Sequence, residues 1–99
     1  ANAPITPGAA ETLWEKKVRV LPDILTNAGG VTVSYFEWVQ NLQQLHWSED
    51  QVNEMLETKM VTAFHKVVAL HEKKQVSLRM AAYMVGIEAV ATAFKLRGV

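Results

Sequence analysis

Asn27, the pair Gly29-Gly30 and Ser34 stand in one run, Pro22-Asp23-Ile24-Leu25-Thr26-Asn27-Ala28-Gly29-Gly30-Val31-Thr32-Val33-Ser34-Tyr35-Phe36-Glu37-Trp38. Their chemistry is that of binding rather than bond breaking. An Asn side chain carries an amide donor and a carbonyl acceptor, and a Ser hydroxyl does both. Paired glycines let backbone approach a ligand or another segment closely, because no Cβ intervenes. A helix that begins just after Gly30 would add free N–H groups and a positive dipole end, which suits an anion or a carboxamide. Asn27 would then sit at the C-terminal mouth of a strand, where α/β sheets place ligands. The same residues also read as an ordinary tight turn between a strand and a helix.

Other chemistries find little support. Ser34 has no Gly-x-Ser-x-Gly elbow around it and no histidine in its motif, so it reads as a capping, packing or ligand-binding serine. His65 and His71 are six positions apart and do not share a helix face, and His46 falls in a loop beside Trp47. With no cysteine and scattered acids, a metal site is not expected. Gly29-Gly30 is not a dinucleotide fingerprint, and no Walker motif occurs. The Met and Trp residues read as core filling.

The elements that must position these residues can be traced along the chain. Thr6 and Pro7 predict a helix start, since Thr caps and Pro suits the first helical position. That helix is expected to run to about Lys16-Lys17. Val18-Arg19-Val20-Leu21 predicts a short strand stopped by Pro22. The stretch from Val31 is ambiguous. A strand would put Val31, Val33, Tyr35 and Glu37 on one face, whereas a helix groups Val31, Ser34, Tyr35, Trp38 and Leu42. The pattern continues helically through Val39 and Leu42, so a helix is expected with its N-terminus just after Gly30. Ser48-Glu49-Asp50-Gln51 predicts a capping box. Behind it Val52, Met55, Leu56, Met60, Ala63, Phe64, Val67 and Val68 recur at three and four, to an end near Lys73-Lys74. Ser77 caps a last helix that is apolar almost all round, which needs partners on two faces.

The 99 residues bound one domain or part of one, with room for a modest core. Ten basic and ten acidic side chains leave no net charge, which gives no electrostatic case for nucleic acid or an anionic membrane. No segment reaches the about 20 apolar residues that cross a bilayer. The N-terminus lacks the pattern of a signal peptide. Absence of cysteine is compatible with a reducing, cytoplasmic home or an organelle matrix. The chain begins at Ala1 rather than Met, as a processed or excised piece would.

At these residues the sequence resembles the glutamate dehydrogenases, within the wider amino-acid dehydrogenase family. Ala1-Asn2-Ala3-Pro4-Ile5-Thr6-Pro7 is similar to the end of that family's Gly-Ala-Asn-x-Pro-x-Thr-Pro signature. Pro22 to Val31 is similar to its Pro-Asp-Ile-x-x-Asn-Ala-Gly-Gly-Val signature. Val33-Ser34-Tyr35-Phe36-Glu37-Trp38, Gln40-Asn41 and the ending Leu96-Arg97-Gly98 follow as in that family.

The resemblance implies a C-terminal part of a longer enzyme, α/β in the parent. Residues 1–30 would be the last, Rossmann-like portion of its nucleotide-binding domain, with a helix and a short strand. Residues 31–99 would be three mostly amphipathic helices crossing back toward the substrate domain, so this piece is predominantly α. The reaction implied is oxidative deamination of L-glutamate to 2-oxoglutarate and ammonia with NAD or NADP, in a hexamer. Asn2 and Asn27 would contact the coenzyme, near the ribose and at the nicotinamide carboxamide. Gly30, Val31 and Ser34 would line the substrate pocket, with Ser34 donating to the side-chain carboxylate of glutamate. The family's acid–base lysine and aspartate lie in a domain that no segment here matches, so the chain alone is expected to be inactive. The competing expectation is a small helical interaction module, for which Gly29-Gly30 is only a turn.

Overall fold

A computed structural model describes residues 1–98. They form five helices: α1 (Pro7–Glu15), α2 (Asp23–Thr26), α3 (Ala28–Gln43), α4 (Glu49–Lys74) and α5 (Leu78–Arg97). The helix starts follow their caps. Thr6 Oγ1 accepts the Ala9 N–H at 3.3 Å with Pro7 in the first turn, and Ser77 Oγ accepts the Met80 N–H at 3.1 Å. At Ser48 the box is reciprocal. Ser48 Oγ accepts the Gln51 N–H at 3.2 Å, and Gln51 Oε1 accepts the Ser48 N–H at 2.9 Å. Each such cap typically contributes about 1 kcal/mol.

Two expectations need correction. Among the described residues no strand forms, and Val18–Leu21 runs as an irregular segment. A strand needs a neighbour for its ladder. Here Arg19, Val20 and Leu21 join no backbone hydrogen bond. The second correction is at the glycines. α3 begins at Ala28, two residues before Gly30, and the one-turn α2 precedes it. Asn27 joins the two helices with right-handed helical backbone (φ −94°, ψ −1°). The corner before the glycines is therefore helix to helix, not strand to helix. Thr6, Ser48 and Ser77 cap from extended backbone, but Asn27 does not, and its side chain bonds no helix N–H.

The core sits at the reversal between α4 and α5. Leu25 of α2, Val67 of α4, and Leu78, Ala81 and Ala82 of α5 form one buried cluster, flanked by Ala63, Val68, Leu70, Val76 and Val85. The small alanines let α5 lie close on α4. His71 closes the turn: its Nδ1–H donates to the Val76 carbonyl across the left-handed Gln75. Trp14 of α1 meets the His71 ring edge-on at 6.2 Å, which leans α1 on the same corner. Phe36 of α3 is 2% exposed and packs edge-to-face with Trp47 at 6.0 Å.

Only the first half of α5 finds partners. From Gly86 to Gly98 every residue is exposed. Met80, Tyr83, Ile87, Val90 and Phe94 recur at three and four and present an apolar stripe, with Ile87 65% exposed. No single helix among the described residues is long and apolar enough to cross a membrane, and α4 with α5 passes that test only as a pair bent by 112°. A stripe of this length drives association of the isolated chain. Sedimentation should therefore show oligomers that Ile87→Glu shifts toward monomer. A clean monomer of the unaltered chain at high concentration would contradict this.

Candidate functional site

The α2–α3 corner brings the two signature segments together. The Asn27 Nδ2–H donates to Asn2 Oδ1 at 2.6 Å and reaches the Ala1 carbonyl at 3.2 Å. The partners are 25 residues apart in the chain. This pairing leaves Asn27 with its own carbonyl oxygen and Asn2 with its own NH2 at an exposed position, one acceptor and one donor side by side. Asn27 is available for this because α2 supplies the turn before α3, so its side chain is not consumed as a cap.

A second set of contacts holds the N-terminal segment. The Ala3 N–H donates to Asp23 Oδ2 at 2.6 Å. Arg79 Nη1, from the first turn of α5, reaches the Ile5 carbonyl at 3.5 Å. Ala3 adopts a left-handed backbone, φ 49°, which residues with a Cβ disfavour. The Ala3 N–H, above all, holds the Asp23 carboxyl below its ordinary value. The Ile24 N–H and the Arg79 charge act in the same direction, against partial desolvation. Asp23 was not among the residues singled out by sequence. Its only signal there was its place next to Pro22 in the signature.

The predicted substrate residues lie one to two turns further on. Gly30, Val31 and Ser34 are all exposed on α3, and Val31 is 71% exposed. Tyr35, Trp38 and Leu42 continue the same stripe, exposed as well, so the helical grouping holds and the strand grouping does not. The Ser34 hydroxyl donates to the Gly30 carbonyl at 3.2 Å, a long bond one helical turn back. It is easily exchanged for a better acceptor.

The glycine pair has no local cause. Neither glycine has a positive φ. A Cβ on Gly29 would meet Leu56 Cδ1 at an ordinary 3.8 Å, and one on Gly30 would meet nothing within 4 Å. The chain therefore keeps open space over the first turn of α3 that its own packing does not require. An open groove of about 700 Å³ adjoins the corner, lined by Trp14, Val20, Leu21, Asp23, His71 and Arg79 among others. Among the described residues no group of His, Asp and Glu is arranged to hold a metal ion.

The chain as a whole is similar to known proteins. The family model described as Glutamate/Leucine/Phenylalanine/Valine dehydrogenase matches residues 1–98. The chain is 54% identical over 98 residues to an NAD-specific glutamate dehydrogenase of Clostridioides difficile, covering 99% of this chain and 23% of that protein. It is 54% identical over 99 residues to a glutamate dehydrogenase of Thermotoga maritima, covering 100% and 24%. A crystal structure of glutamate dehydrogenase from Peptoniphilus asaccharolyticus superposes with a TM-score of 0.91 at 46% identity, over 99% of this chain and 25% of that one. A hetero-hexameric glutamate dehydrogenase from Thermus thermophilus, in a Leu-bound form, gives 0.92 at 37% identity, over 100% and 24%. The chain thus spans about a quarter of the length of the relatives it matches.

Two predictions follow from the local geometry. Gly30→Ala should stabilise the isolated chain by up to about 1 kcal/mol, the helix-propensity gain of an unobstructed Ala. Urea denaturation that finds Gly30→Ala less stable would refute the open-space reading. The second concerns Asp23. Its folded pKa is lowered from 3.8, so the tie to Ala3 is complete above that value and is lost as pH falls through the lower folded value. The Ala3 amide shift in an NMR titration should move only in that acid range; a midpoint above 3.8 would contradict it.

Proposed function

The chain belongs to the Glutamate/Leucine/Phenylalanine/Valine dehydrogenase family, and we propose that it is the C-terminal part of an NAD- or NADP-dependent glutamate dehydrogenase. The observation that carries this reading is the meeting of Asn2 and Asn27 at 2.6 Å, beside the exposed Gly30, Val31 and Ser34 face of α3. Residues 1–30 are read as the last portion of the nucleotide-binding domain, and 31–99 as the helices that cross back toward the substrate domain. The groove flanked by Val18–Leu21, with the unpaired peptide groups of Arg19, Val20 and Leu21, fits the neighbouring strands of that sheet. The exposed stripe of α5 fits packing against the rest of the enzyme, which we read as a hexamer.

The residues present fit the coenzyme. The Asn2–Asn27 pair leaves the Asn27 oxygen to accept from a carboxamide NH2 and the Asn2 NH2 to donate to a ribose hydroxyl. A Cβ on Gly30 would meet nothing within 4 Å, so the backbone there stays open to a ligand. When bound, a nicotinamide coenzyme would supply the hydride acceptor for oxidation of L-glutamate at its α-carbon, toward 2-oxoglutarate and ammonia. The work of this chain is to bind and orient. Asn27 and Asn2 fix the carboxamide and the adjacent ribose. Val31 gives the substrate an apolar wall. Ser34 turns its hydroxyl from the Gly30 carbonyl to the side-chain carboxylate of glutamate, exchanging a neutral acceptor for a charged one. A second carboxylate on the substrate is what makes a hydroxyl useful at this position.

In the full-length enzyme, Ser34→Ala should lower kcat/KM for glutamate by the value of one hydrogen bond to a charged group, about 1.5–3 kcal/mol, with coenzyme affinity little changed. The 99-residue chain by itself should produce no reduced coenzyme from glutamate. An unchanged kcat/KM in the variant would exclude the role of Ser34, and turnover by the isolated chain would exclude the division of labour proposed.

A further inference from the structure

Residues 1–5 have no regular secondary structure of their own, yet they carry one of the two paired asparagines. Their backbone is held from outside at two points besides Asn27. Asp23 accepts the Ala3 N–H at 2.6 Å, and Arg79 reaches the Ile5 carbonyl at 3.5 Å. The first of these is the shorter, and it acts on the one residue of the segment whose backbone is left-handed. A left-handed alanine persists only where its surroundings impose it. Of the contacts that hold the segment, the Asp23 carboxylate is the one on the Ala3 backbone itself.

Asp23 can hold that backbone because it is itself fixed. It opens α2, and α2 is pinned by Leu25, which is buried in the cluster with Val67, Leu78, Ala81 and Ala82. Pro22, just before it, is buried too. The path from the core to the paired amides is therefore short: Leu25, then Asp23, then Ala3, then Asn2 against Asn27. Asn27 terminates the same one-turn helix, so Asp23 and Asn27 are set by one rigid turn.

We propose that Asp23 is a positioning residue for the coenzyme site: by clasping the Ala3 N–H it holds Asn2 in register with Asn27. It touches neither coenzyme nor substrate. This inference rests on the reading of Asn2 and Asn27 as coenzyme contacts. Loss of the clasp frees Ala3 to leave its left-handed conformation, and the segment then carries Asn2 away from Asn27. Binding must re-form the pair at its own expense, so affinity for the coenzyme falls while the substrate face on α3 keeps its shape.

The test uses the full-length enzyme that contains this chain, with reduced nicotinamide coenzyme as the probe in a fluorescence titration. Asp23→Ala should raise the coenzyme Kd about tenfold, as expected for a lost bond to a charged group, and leave the KM for glutamate within about twofold. Asp23→Asn keeps an acceptor oxygen at the same place and should recover most of the affinity, which a variant that merely loosens the fold would not. Both variants should keep the far-ultraviolet circular dichroism of the unaltered enzyme. Normal coenzyme binding by the unaltered enzyme together with an unchanged Kd in Asp23→Ala overturns the proposal and leaves the functional reading standing. An equal loss of affinity in Asp23→Ala and Asp23→Asn also overturns it. Failure of the unaltered enzyme to bind the coenzyme at all sinks the functional reading, and this proposal with it.

Discussion

The structure depends on the burial of one small apolar cluster at the reversal from α4 to α5. Val67, Leu78, Ala81 and Ala82 come from those two helices, and Leu25 joins them from α2. That last contribution matters most. A four-residue helix has no stability of its own, because nucleation costs more than so few hydrogen bonds return. It exists because Leu25 is buried. The two side chains at its ends, Asp23 and Asn27, are placed by a contact neither of them makes. Stability of the corner and geometry of the candidate site thus have one origin.

The helices with side-chain caps were legible in the sequence. Thr6-Pro7, Ser48 to Gln51 and Ser77 announce α1, α4 and α5, and the structure starts each helix where its cap stands. The α2–α3 corner was not legible. Double glycine is the strongest local signal for a turn, and it outweighed Asp23–Thr26, which is too short to show a period. Val18–Leu21 failed differently. Its β-propensity is genuine, but a strand is a property of two segments and the second is not among these residues. The face shared by Val31, Ser34, Tyr35, Trp38 and Leu42 could be written down from spacing alone. The meeting of Asn2 with Asn27 could not, since nothing local links residues 25 apart. The family signatures implied a shared ligand for the two, and not a contact between them.

Exposure tells which residues answer to demands outside the described chain. Phe36 and Val67 are explained by their neighbours, being 2% and 3% exposed. Val31, Trp38, Leu42 and the stripe of α5 are not. Gly30 is the same case in negative form, since it leaves unfilled a volume that nothing here occupies. Apolar side chains offered to solvent on two helices and a glycine that no local strain explains are consistent with a piece whose remaining contacts are made by another part of a larger fold.

The single-residue joint at Asn27 has one more consequence. Two helices that meet through one residue in right-handed helical conformation are phased to each other like gears. An α-helix turns by about 100° per residue, so one residue added or removed between Thr26 and Ala28 would swing the whole of α3 by that angle. Ser34 and Val31 would then look away from the side on which Asn27 meets Asn2, with every side chain still present. The corner can therefore accept changes of residue type more readily than changes of length. Its spacing, from Asp23 through Asn27 to Ser34, acts as a ruler that keeps the residues of the candidate site on one side of the corner.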